Sequence, residues 1–88
     1  MNEEQFRELL QEKGYGEVKV KDFAPNFYDP QHTHEVSIMG MVLSGEFTLE
    51  WEEGATTYAS GDMCEFDAGT LHAERTGESG ATLILGYK

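Results

Sequence analysis

The chain contains a single cysteine, Cys64, which excludes an intrachain disulfide and a thiolate zinc cluster. It has only two prolines and no low-complexity tract, so no extended proline-rich segment is expected. No apolar run approaches the ~18 residues of a membrane-spanning helix. Positive charge is also scarce: 6 basic residues stand against 17 acidic ones, for a formal net charge of -11. That deficit argues against nucleic-acid binding by counterion release and against attraction to anionic membrane surfaces. Residues 1–14 are polar and helical in pattern, not a charged segment followed by an apolar one, so a soluble, cytoplasmic protein is expected. With 88 residues, no long linker and no repeat at solenoid spacing, the chain reads as one domain with a small core.

Asn2 followed three residues later by Gln5 resembles a capping box. Phe6, Leu9 and Leu10 then recur at helical spacing until Gly14, which predicts a short amphipathic helix within residues 1–14. Residues 15–88 change to strand-like runs: Glu17–Phe23, His32–Leu43, Glu46–Glu52, Ala55–Ala59, Met63–Phe66, His72–Thr76 and Ala81–Tyr87. Asp29-Pro30, Ser44-Gly45, Glu53-Gly54, Gly61-Asp62, Ala68-Gly69 and Gly77 to Gly80 supply turn chemistry between them. Such regular punctuation predicts an all-β sandwich or barrel. Phe47, Leu49 and Trp51 share one face of their strand and Thr48, Glu50 and Glu52 the other, as an apolar interior with a solvated exterior requires.

All three histidines fall in two short segments, His32-Thr33-His34 and His72. On one strand, His32 and His34 would point the same way, and a third imidazole from a facing strand would complete a three-nitrogen metal site with open positions. Glu74, two residues beyond His72, should share its face and is the candidate carboxylate to hydrogen-bond an imidazole or a bound ligand. Ile38, Met41, Phe47, Trp51, Cys64 and Phe66 are assigned to the lining of the pocket, with Cys64 read as a small buried hydrophobe.

His32-Thr33-His34 followed by Ser44-Gly45-Glu46 resembles the first motif of the small single-domain cupins. Gly61-Asp62 through Ala68-Gly69-Thr70-Leu71-His72 resembles their second, and the two together use every histidine. The resemblance runs from about Glu17 to the C-terminus. It implies a double-stranded β-helix, a jelly-roll-like barrel, with the two motifs facing across one open end and the N-terminal helix packed on it. The family's glutamate ligand, four or five residues after the HxH, has no counterpart here, because Ile38 and Met39 stand at those positions. Glu35 alternates to the face opposite His34. Asp67 replaces the usual proline of the second motif and Thr76 a frequent asparagine.

The resemblance implies one divalent metal ion per chain, iron(II) if the protein is an oxygenase, with zinc, nickel, copper or manganese also compatible with three nitrogens. Three neutral imidazoles would leave the site near +2, attractive to a small chelating or anionic organic ligand. Three classes remain open: a non-haem dioxygenase-type oxidoreductase, a small-molecule or metal-sensing module without turnover, and a metal-stabilised scaffold. Some cupins hold no metal, and there the histidines would be hydrogen-bonded barrel residues. A homodimer is expected, since the apolar stripe of the helix must be covered by its own barrel or by a neighbour.

Overall fold

The computed structural model describes all residues, Met1–Lys88. Helix α1, Glu3–Glu12, begins at the expected capping box: the Gln5 amide donates to Asn2 Oδ1 at 2.8 Å and the Asn2 amide to Gln5 Oε1 at 3.0 Å. It stops where Gly14 takes φ +82, a conformation that glycine adopts without the steric cost of a side chain. Phe6 and Leu10 are fully buried against Tyr15, Met39, Met41 and Ile84, each contributing about 1.5–3 kcal/mol by leaving water. The chain's own sheet therefore covers the helical stripe that had motivated the expectation of a dimer.

Six antiparallel strands follow: β1 Glu17–Phe23, β2 Tyr28–His32, β3 Ile38–Trp51, β4 Gly54–Ala59, β5 Met63–Phe66 and β6 His72–Tyr87. They form one sheet in the order β1-β6-β3-β4, with β2 also on β6 and β5 also on β3. The long strands β3 and β6 pair with each other along both of their halves and so bind the fold together. Two expected turns are in fact bends within continuous strands. At Ser44-Gly45 the register of β3 against β6 shifts on either side, and Gly77 to Gly80 lie inside β6. Glycine marks bulges as well as turns, and here it permits a close crossing. A Cβ on Gly45, already at φ +80, would run into the Gly80 carbonyl oxygen.

The expected strand from His32 to Leu43 is also divided. His32 ends β2, His34 lies in the irregular segment after it, and β3 starts only at Ile38. Asp29 and Pro30 sit inside β2 beside an irregularity in its pairing with β6.

Alternation from Ile38 sends Ile38, Val42 and, beyond the bulges, Phe47 and Leu49 to the interior, where they meet Leu83 and Leu85. Met39 and Met41 take the other face, under α1. Met41, 2% exposed, is thus no part of the pocket that the sequence assigned it to. Its parity with Met39 on β3 places it against the helix. On β1, register pairs Lys19 with Leu85 and Lys21 with Leu83. These lysines therefore face the same side of the sheet as buried Phe23, though both are exposed, and Val18 and Val20 are exposed on the other side.

Candidate metal centre

The end of β2 and the start of β6 are in register, with His32 opposite His72. His34 returns to them from beyond β2, and Glu74 projects from β6. Glu74 Oε2 lies 3.0 Å from His72 Nε2, 3.1 Å from His32 Nε2 and 3.7 Å from His34 Nε2. His32 and His34 approach through their Nε2 atoms at 3.2 Å. One donor atom from each of the four residues falls within 4.8 Å of all the others. Around a single ion with bonds near ~2.1 Å, neighbouring donors stand ~3.0 Å apart in octahedral and ~3.4 Å in tetrahedral coordination. The observed separations bracket these values.

Local backbone structure orients the rings. His32 Nδ1 donates to the Pro30 carbonyl at 2.7 Å and His72 Nδ1 to the Thr70 carbonyl at 2.9 Å. A carbonyl only accepts, so both protons sit on Nδ1 and a neutral ring turns its Nε2 lone pair toward the centre. Glu74 adds a further acceptor among these lone pairs. Acceptors this close repel unless a proton or a cation lies between them, and the donor set of three nitrogens and one carboxylate oxygen suits a divalent transition ion. The turn that carries His72 also holds His34: the amide of Gly69, at φ +84, donates to the His34 carbonyl at 2.9 Å. Thr76, at the position where the family often has asparagine, ties β6 to the segment before β2. Its Oγ1 donates to the Ala24 carbonyl at 2.6 Å and accepts from the Phe27 amide at 2.9 Å.

Burial opposes charging His32, but the Pro30 carbonyl and the charges of Glu74 and Asp29 outweigh it and raise its pKa above the usual imidazole value. His34 is lowered, first by burial and then by the neighbouring His32 and His72, against the pull of Glu74. His32 and His34 are therefore shifted in opposite directions. His72 is fully buried, with Phe66 4.5 Å and Trp51 5.9 Å from it between ring centres. These two rings shield one side of the centre from water.

Beside the cluster lies a cavity of about 50 Å³, walled in part by His34, Glu74, Ile38, Phe47, Cys64 and Phe66. Trp51 stacks beside His72 and is not on the cavity wall. Glu35 is exposed and outside the cluster. Burial pushes the Cys64 thiol up to about 11. Lys21 and Tyr87 also line the cavity and were missed from the sequence. The signal for Lys21 was its parity with Phe23 along β1.

The family model for the cupin domain matches residues 19–85. The chain belongs to the cupin family. No curated protein matches significantly. Among solved structures, a protein of unknown function from Rhizobium leguminosarum bv. viciae 3841 superposes with a TM-score of 0.75 at 20% identity, over 80% of this chain and 66% of that one. KdgF from Halomonas sp. gives 0.69 at 24% identity, over 80% and 66%. The DMSP lyase DddQ from Ruegeria pomeroyi DSS-3 gives 0.68 at 25% identity, over 81% of this chain but 37% of the lyase. The chain thus spans just under two thirds of the first two structures and little over a third of the lyase.

Proposed function

We propose that this cupin binds one divalent ion through His32, His34 and His72 with Glu74 as a fourth ligand, and presents it to a small chelating, anionic organic ligand. The observation that carries this reading is the convergence of four acceptor atoms within 4.8 Å. The carboxylate that the family takes from its first motif is supplied in this reading by the second, two residues after His72. Three neutral imidazoles and one carboxylate leave a divalent ion at a net charge near +1, which still attracts an anion.

Such an ion supplies Lewis acidity and, if it is iron(II), redox chemistry suited to a dioxygenase-type oxidoreductase. The chain's own residues hold it, fix the imidazole tautomers through Pro30 and Thr70, and keep water from one side with Phe66 and Trp51. The likeness to a DMSP lyase is a likeness of fold, which by itself chooses neither turnover nor passive binding.

Metal analysis after reconstitution is expected to give one ion per chain, with His34→Ala losing most of the affinity. Iron-loaded protein is expected to consume oxygen with a diketone or thiol chelator that binds it. A stoichiometry far below one refutes the centre. Bound chelators without oxygen uptake refute the oxygenase and leave a metal-dependent binding module.

A further inference from the structure

In so acidic a chain, the placement of the few cations is informative. Arg7 pairs with Glu3 at 2.9 Å, Lys13 with Glu65 at 3.1 Å, Lys19 with Glu17 at 3.6 Å and Arg75 with Glu50 at 3.0 Å. Lys88 donates to the Lys13 carbonyl at 3.0 Å. Lys21 is the one basic residue with neither an ion pair nor a hydrogen bond, and its ammonium lies 5.0 Å from the centre of the Phe23 ring. It borders the same cavity as His34 and Glu74. Paired across the strands with Leu83 and itself exposed, it borders that cavity on its solvent side.

We propose that Lys21 is the anion anchor of the ligand site, and that the ligand is a small dicarboxylate. One end, an α-hydroxy or α-oxo carboxylate, chelates the ion, and the second carboxylate meets the Lys21 ammonium. This rests on the open metal centre proposed above. The wall between the two ends is apolar, formed by Phe23, Phe47, Leu49, Leu83 and Leu85. The cavity of about 50 Å³ holds roughly three to five water-sized groups, so the body between the two acids is short. A charge-assisted hydrogen bond from ammonium to carboxylate discriminates against a neutral isostere by about tenfold.

The test is calorimetric titration of zinc-loaded protein with malate and with its isosteric 4-amide, uncharged at that end only, in the parent and in Lys21→Met. The substitution keeps an unbranched, largely apolar stem and removes the ammonium with its charge and donors. The parent is expected to prefer malate over the amide by about tenfold. Lys21→Met, still binding one zinc per chain, is expected to lose that preference while its affinity for the amide stays unchanged. A retained preference, or equal weakening of both ligands, overturns the anchor and reduces Lys21 to a cover for Phe23. If the zinc-loaded parent binds neither ligand, the open centre itself fails and the anchor with it.

Discussion

Glu74→Gln is the sharpest test of the centre, because it preserves the shape of a side chain only 12% exposed and removes its charge. The carboxylate oxygen now stands 3.0 to 3.7 Å from three Nε2 atoms. Without metal, the introduced amide can still donate to a neutral Nε2, so the apo variant is expected to stay within about 1 kcal/mol of the parent. With metal, the outcomes diverge. At about a hundredfold excess of ion over Kd, binding stabilises the parent by ~2.7 kcal/mol. If losing the carboxylate weakens the ion by about a hundredfold, at the upper end for a ligand-orienting partner, only ~0.4 kcal/mol of that remains. For a domain of this size, the missing ~2.3 kcal/mol corresponds to ~9–18 °C in Tm. Thermal unfolding of both proteins, with chelator and with matched free metal, reads this directly. Equal metal-induced shifts in parent and variant would refute Glu74 as a ligand.

Two further outcomes follow from groups outside the centre. With its thiol raised to about 11, Cys64 is expected to react with iodoacetamide near pH 8 about two hundredfold or more slower than a free cysteine, and at the ordinary rate in denaturant; fast labelling of folded protein would contradict its placement. Glu65 is held below the usual glutamate range by hydrogen bonds from the Tyr15 hydroxyl and Lys13. A lowered folded pKa stabilises above the unfolded value and is lost as pH falls through the folded one, so the Tm advantage of the parent over Glu65→Gln is expected to shrink between about pH 6 and pH 3. An advantage that grows on acidification would refute the sign.

The histidine set was legible because only three histidines exist and each lies beside turn chemistry. The helix was equally plain from Asn2, Gln5 and its apolar spacing. Other features depended on tertiary contacts that no local pattern carries. A glycine signals a turn or a bulge alike, and only the crossing of Gly45 with Gly80 decides for a bulge. Met41 was misassigned because its alternation was not followed: it has the parity opposite to Ile38, as it has to His32 and His34, and so takes the face under α1. His32 and His34 still meet, although strand alternation is not what brings them together. Glu74 stood at a suggestive spacing, yet its approach to all three rings required β2 to dock on β6. Lys21 is exposed, as a charge should be, and only the pairing of β1 with β6 brings it to the edge of the cavity.

Strand β6 has a consequence for how the metal would be acquired. It carries two of the four donors and pairs with β1, β2 and β3, closing contacts that span most of the chain. Such distant pairings form slowly, because loop closure must precede their reward. A nascent chain therefore has no complete coordination set until its final strand has docked. An ion bound there would join β2 to β6 and resist their separation. Metal exchange would then track the opening of that seam, and the lifetime of the bound ion would measure how long β6 stays in place.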